Sequence, residues 1–303
     1  MLKLAVTMAA LGWALSRTSL SAMRDAVGRM SPAAPIAAVL LLAGGIVAGA
    51  FRWREVMRAY GVDRMPPLAF LIRGYLVAGF YNTLVLGNVG GDVLRGYAAR
   101  GAFEHPADSY IAILVERGFG LVALLALAAV GASLGTSLGA PLAIVFVGLG
   151  VALLAVTMAT PRLVQTLSRW LPGRLGSLAR EPTSPRNYGA LFVAALWSIP
   201  SQLTAICATH VLVHGIEPRL QLIDSLALIP IASLVTYVPI SLAGLGLREA
   251  AFVVLLGKVG VAPGDATAAS LAFMGVLLFV AVVGGVAHAI QPLRLPRDGG
   301  DVR

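Results

Sequence analysis

Five stretches of this chain contain no Asp, Glu, Lys or Arg over about the length a helix needs to cross a bilayer. They are 33–51, 118–160, 187–216, 225–247 and 266–293. Roughly 20 predominantly apolar residues suffice to cross a hydrocarbon core of about 30 Å. The stretch 118–160 is about twice that long, and its Gly-, Ser-, Thr- and Pro-rich centre, 131–141, divides it into two spans. Charged residues are only 12% of the chain and the mean hydropathy is +0.86. A soluble domain carries about a quarter, because its surface faces water. The expected fold is therefore all-α, a polytopic helical membrane protein.

Backbone groups have no water to bond in hydrocarbon, so the spans must be helices or a closed barrel, and the apolar runs have helical lengths. Full spans are expected at 4–15, 33–51, twice within 107–160, at 188–213 and at 266–290, about six in all. The first resembles the start of a signal peptide, but Arg17 interrupts the small-residue cleavage region, so it reads as an uncleaved span. The chain is a single transmembrane domain, 1–303, with halves 1–160 and 187–293 joined by a basic loop, 161–187.

Arginine places the loops. Arg162, Arg169, Arg174, Arg180 and Arg186 in the central loop face only Glu181, and Arg52, Arg54, Arg58 and Arg64 follow the second span. The positive-inside bias makes both segments cytoplasmic. Two spans between them return the chain to its starting side, so 66–101 must be a hairpin, re-entrant or of two paired helices. The same parity makes 222–264 a hairpin entered from outside, with both termini in the cytoplasm. The net charge of +9 is then the flanking charge of a cytoplasmic-membrane protein. No interleaved basic and aromatic motif points to nucleic acid.

The two hairpins share a pattern. The first reads Tyr81-Asn82-Thr-Leu-Val-Leu-Gly87-Asn-Val-Gly90-Gly91-Asp92-Val-Leu-Arg95, and the second Tyr237-Val-Pro-Ile-Ser-Leu-Ala-Gly244-Leu-Gly246-Leu-Arg248-Glu249. Each runs from an aromatic through apolar residues to close-set glycines, an acid and an arginine. Entered from opposite sides, they would form an inverted repeat. Transporters place substrate near the midplane where two such broken elements meet.

Ionisable groups in an apolar bundle cost about 2.5–3.5 kcal/mol each on insertion scales, which marks them as functional candidates. They are Arg73, Asp92 with Arg95, Glu116 with Arg117, and Arg248 with Glu249. Adjacent helical residues such as Glu116 and Arg117 point about 100° apart and must find partners elsewhere. Gly87, Gly90 and Gly91 would permit left-handed backbone or close approach. The amides of a helix N-terminus beside such a turn suit an anion. The guanidinium fork of Arg95 or Arg248 matches phosphate bidentately. The substrate-binding set is thus Asn82, Gly90, Gly91, Asp92, Arg95, Glu116, Arg117, Gly244, Gly246, Arg248 and Glu249. No metal or cofactor is expected: His210 and His214 share a helix face but lack further ligands. Cys207, the single cysteine, has no disulfide partner.

Gly90-Gly91-Asp92-Val-Leu-Arg95, Glu116-Arg117 and Pro239-Ile-Ser-Leu-Ala-Gly244-Leu-Gly246-Leu-Arg248-Glu249 together resemble the flippase-like family, which includes the transmembrane region of lysylphosphatidylglycerol synthases. Arg52-Trp53-Arg54 resembles that family's cytoplasmic motif. A proline usual before the first glycine turn is replaced here by Leu86-Gly87-Asn88. The resemblance implies translocation of an anionic or polyprenyl-linked lipid. It leaves no room for the aminoacyl-transferase domain, since the chain ends about a dozen residues after the last expected span, and so implies no enzyme. An intramembrane lipid-modifying enzyme, with Asp92, Glu116 or Glu249 as base, is the principal rival. A non-transporting subunit of an envelope glycosyltransferase is a third reading, and envelope-biosynthesis enzymes are the protein partners to expect.

Overall fold

A computed structural model describes residues 12–13, 16–85, 89–134, 139–168, 184–237 and 246–293. Every regular element in them is helical. In chain order these are α1 (Leu20–Arg29), α2 (Ala33–Ala59), α3 (Leu68–Phe80), α4 (Gly90–Ala99), α5 (Asp108–Leu134), α6 (Gly139–Ser168), α7 (Tyr188–His214), α8 (Leu222–Tyr237), α9 (Leu247–Gly257) and α10 (Pro263–Ile290). A π-helical turn, Tyr81–Val85, extends α3.

Among the described residues six helices are long and apolar enough to cross a bilayer: Ala33–Ala59, Leu68–Val85, Asp108–Leu134, Gly139–Thr166, Tyr188–His214 and Pro263–Ile290. Three of them, α5, α7 and α10, match expected spans closely, and α2 and α6 overrun theirs. The expected span at 4–15 lies almost wholly outside the described residues, as do Gly87 and Gly244. The first hairpin is asymmetric, with an arm of membrane length in α3 and a return in α4. At about 1.5 Å per residue, ten residues reach only about 15 Å, half the hydrocarbon thickness.

Two expected boundaries move. The second span does not stop at Phe51: α2 runs eight residues further, to Ala59, with Arg52, Trp53 and Glu55 buried. Arg52 is therefore a residue of the bundle, not of a cytoplasmic loop. Likewise α6 continues through Pro161 to Ser168, taking Arg162 out of the central loop. In both places a helix persisted where charge alone signalled an end, because the long side chains find polar partners or reach the surface without breaking the backbone ladder.

At the centre α2 packs along α7. The seam is built from small residues, Ala38, Ala50, Ala194 and Ala208, all fully buried. Phe51 stacks on Trp197 with ring centroids 4.8 Å apart. Small residues let membrane helices approach closely where no hydrophobic drive exists between them. The other packing partners form two matching sets. α3 lies on α10 as α8 lies on α5, and α4 lies on α3 and α5 as α9 lies on α8 and α10. Exchanging α2–α5 with α7–α10 maps these contacts onto themselves, so these two sets of four helices share a packing plan. α6, outside that plan, leans on α5 and turns Ile144 and Val151 outward, as a lipid-facing helix should.

Arg73 finds a structural role. Its guanidinium donates to the Gln291 side chain at 2.8 Å, to the Gln291 carbonyl, and to the Ala287 carbonyl. These are acceptors at the C-terminal end of α10, where a cation also meets the negative end of the helix dipole.

Candidate functional site

The first hairpin is held by its own backbone. The N–H of Gly91 donates to Asn82 Oδ1 at 2.7 Å, so a residue of the π-helical turn caps α4 across the hairpin. Gly91 has no left-handed φ, so the expected strained turn is not present at that residue. Its need for glycine is close approach: a Cβ there would collide with the backbone of Ala78. In the second hairpin the conformational argument does hold, at Gly246, whose φ is 80°. Its N–H donates to Glu249 Oε2 at 2.6 Å.

Asp92, in the first turn of α4, accepts from Arg95 Nη2 at 3.2 Å and from Arg117 Nε at 2.5 Å. Glu116 on α5 is 1% exposed. Its Oε1 accepts from Arg52 Nε and Nη2, both at 3.2 Å, and its Oε2 from Arg95 Nη2 at 2.6 Å. Glu116 and Arg117 thus take different partners, as their angular separation requires. The Arg95 guanidinium lies 4.5 Å from the Trp53 ring centroid and 4.3 Å from that of Tyr75, a cation held between two aromatic faces. The Tyr75 hydroxyl accepts from Arg52 Nη2 at 3.2 Å.

Three helices, α2, α4 and α5, therefore converge on one cluster of three arginines, Arg52, Arg95 and Arg117, and two carboxylates, Asp92 and Glu116, and α3 adds Tyr75. With both acids ionised, three positive charges less two negative leave a net charge of one. Two buried donors of the cluster, Arg52 Nη1 and Arg95 Nε, have no hydrogen-bond acceptor among the described residues. Such unmet donors normally cost free energy unless something supplies acceptors.

A cavity of about 320 Å³, apolar over most of its wall but carrying a group of polar side chains, adjoins the cluster, between α2, α3, α7 and α10. Asp92, Tyr75, Asn82, Thr83, Ser201, Gln202 and Thr204 supply its polar lining, and Gly79 and Ala281 part of its apolar wall. Gly120 opens the corner between Gln202 and Arg52: a Cβ there would lie 3.0 Å from the Gln202 amide nitrogen and 3.2 Å from Arg52 Nη1. The free donor of Arg52 thus sits behind the cavity wall, beside Gln202.

The second ionic group is closed. Arg248 donates to Glu249 Oε1 at 3.1 Å and to Ser270 Oγ at 3.1 Å, and Ser270 donates to Glu249 Oε1 at 2.9 Å. It is electrically neutral and borders neither described cavity. Moreover, α4 and α9 do not touch among the described residues. Among the described residues Arg95 and Arg248 therefore belong to two separate groups; Gly87 and Gly244 of the two turns lie outside those residues. Glu249 occupies in α9 the position that Asp92 occupies in α4, third from each helix start.

Sequence reasoning brought Asn82, Gly91, Asp92, Arg95, Glu116 and Arg117 to this place and missed Arg52, Trp53, Tyr75, Ser201, Gln202 and Thr204. One signal was available for Arg52 and Trp53. They continue the helical face of Gly45 and Gly49 at spacings of three and four, as a helix extending past Phe51 would have them. Ser201, Gln202 and Thr204 are neutral residues in an apolar run and carry no such mark. His210 bonds Ser225 Oγ at 2.8 Å and His214 the Leu220 carbonyl at 3.2 Å. No group of three metal-ligating side chains occurs among the described residues.

The model of a protein family described as the lysylphosphatidylglycerol synthase TM region matches residues 1–285. No curated protein matches the chain.

Proposed function

The chain belongs to the family of the lysylphosphatidylglycerol synthase TM region, and on that premise we propose that this multi-pass membrane protein is a flippase for a lipid with an anionic head group. The observation that carries the reading is the cluster of net charge one, with two unmet arginine donors, next to a cavity that carries seven polar side chains and is walled by membrane-length helices. A phosphate oxygen is an acceptor of the kind those donors lack, and arginine binds phosphate with directional hydrogen bonds. The neutral groups of Tyr75, Asn82, Ser201, Gln202 and Thr204 would replace part of the head group's hydration, so that it crosses without meeting hydrocarbon. On this reading the protein is a transporter, not an enzyme. Asp92, the one acid lining the cavity, is held between two arginines and is poorly placed to act as a base. The proposed setting is the cytoplasmic membrane, with both termini and the loop 161–187 inside, and envelope-biosynthesis enzymes as candidate partners.

Gly79 offers a clean test. It lines the cavity, and a Cβ there would meet nothing within 4 Å. Gly79→Leu should therefore fill the cavity without straining the fold, while Gly79→Ala should be tolerated. In phosphatidylcholine vesicles carrying fluorescent phosphatidylglycerol, Gly79→Leu is expected to slow translocation by at least about tenfold, ~1.4 kcal/mol. Abundance and thermal midpoint should be unchanged. Parental protein that moves no more probe than empty vesicles would sink the proposal.

A further inference from the structure

The polar side chains lining the cavity already have partners, and those partners decide what each can offer a head group. The side-chain oxygen of Asn82 is taken by the Gly91 N–H at 2.7 Å, which leaves the two protons of its amide nitrogen. The Tyr75 hydroxyl accepts from Arg52 Nη2 at 3.2 Å, which leaves its own proton to be donated. Gln202 Nε2 and the unmet Arg52 Nη1 lie 3.0 and 3.2 Å from the point where a Cβ of Gly120 would stand, so two donors flank one small space. Thr204 runs the other way: it donates to the Ser201 carbonyl at 3.0 Å and keeps its lone pairs. Asp92 already accepts from Arg95 and Arg117. The cavity is therefore rich in donors, backed by a net positive charge, and poor in acceptors for a cation.

We infer that the lipid carries a single negative charge on a phosphodiester, bears only hydroxyls beyond it and has no amine, so that phosphatidylglycerol fits and aminophospholipids do not. This rests on the flippase reading and narrows its substrate. A phosphodiester is a monoanion, which matches a cluster of net charge one, and its free oxygens accept the charge-assisted hydrogen bonds that arginine donates. A hydroxyl both accepts and donates, so a small polyol can take protons from Asn82 and Tyr75 and give one to Thr204. An ammonium has three donors and no acceptor. It would face the same donors and the same positive charge, and would find Asp92 held by two guanidiniums. Polar groups left unpaired away from water are costly, so such a site rejects the wrong head group more sharply than shape alone would. The volume agrees. A cavity of about 320 Å³ equals about ten water molecules at roughly 30 Å³ each, and a glycerophosphate head group has about ten non-hydrogen atoms. A head group of several sugars does not fit.

The test compares phosphatidylglycerol, phosphatidylserine and phosphatidylethanolamine, each with a fluorescent acyl chain, in phosphatidylcholine vesicles carrying the full chain. Phosphatidylserine is the decisive comparison, because it has the net charge of phosphatidylglycerol and also an amine. Phosphatidylglycerol should cross at least about tenfold faster than either amine lipid. In Gln202→Glu the new carboxylate gives Arg52 Nη1 an acceptor and cancels the cluster's net charge, as Glu249 does for Arg248. That variant should slow phosphatidylglycerol by at least about tenfold and erase its advantage over the other two lipids, with the thermal midpoint unchanged or raised. A merely structural Gln202 would instead lower the midpoint and all three rates together. Phosphatidylserine crossing as fast as phosphatidylglycerol, or a folded Gln202→Glu protein that keeps the parental preference, would overturn the head-group assignment and leave the flippase reading standing. Should Gln202→Glu fail to accumulate, the three lipids on the parental protein decide the question alone. Parental protein that moves none of them would overturn the flippase reading itself.

Discussion

Replacing Glu116 by Ala will destabilise the protein by about 3–5 kcal/mol, the usual cost of removing one partner of a buried ion pair. Glu116 is the acceptor that joins Arg52 of α2 to Arg95 of α4, and all three side chains are at least nine-tenths buried. Without it, the cluster's net charge rises from one to three positive charges less a single negative, Asp92. Two guanidiniums then lose acceptors inside a bundle where water cannot replace them. Glu116→Gln keeps an oxygen acceptor and the shape, so the loss should be smaller. Arg52→Gln added to Glu116→Gln should recover part of it, since the pair is then removed from both sides. Thermal unfolding in detergent, beside the amount of protein extracted from the membrane, measures this. Glu116→Ala with the parental midpoint would show that the cluster does not hold these helices together.

The second large effect is expected at Gly91, and the structure changes its sign for the mildest substitution. A left-handed turn would make Ala as harmful as Val, and an ordinary helical φ with free space would make Ala harmless. The φ is ordinary, yet the space is occupied by the backbone of Ala78. A main-chain obstacle cannot rotate away as a side chain can, so even one methyl must push α4 off α3. Overpacking typically costs about 1–3 kcal/mol, and a backbone obstacle belongs at or above the top of that range. The displacement would also break the Asn82 cap and carry Asp92 and Arg95 away from Glu116 and Arg117. Gly91→Ala should therefore lose translocation nearly as completely as Gly91→Val, while Gly79→Ala, one helix away in open space, stays active. The check is abundance and translocation measured together. An abundant and active Gly91→Ala protein would refute the close approach.

Much of the fold was legible without coordinates because the bilayer acts on local composition. Uncharged runs of about 20 residues, split at 131–141, locate α5 and α6 and the spans of α2, α7 and α10. The glycines with an acid and an arginine marked the starts of α4 and α9. Errors arose wherever a charged residue was read only by its position along the chain. Arg52 was expected in a cytoplasmic loop because it follows an apolar run, yet its partner Glu116 lies 64 residues on, and the helix continues to let them meet. Arg73 was a site candidate because it is a cation in a hairpin, yet its acceptors are 214 and 218 residues away, at the end of α10. Arg95 and Arg248 occupy similar motifs and were expected to share a site, yet α4 and α9 do not touch among the described residues.

By itself, then, the sequence determined the class of the protein and the places of most of its spans, and it singled out Asp92, Arg95, Glu116 and Arg117, though not Arg52, as candidates. Each of those follows from a cost that hydrocarbon imposes on a segment whatever it packs against. Only the tertiary structure decided which of those charges balance one another. It left buried donors of Arg52 and Arg95 without acceptors among the described residues, and it set the first group beside a cavity and bound Arg248 to Glu249 and Ser270. Local composition cannot record that outcome, because a guanidinium's role is settled by the acceptors that distant helices bring within about 3 Å of it.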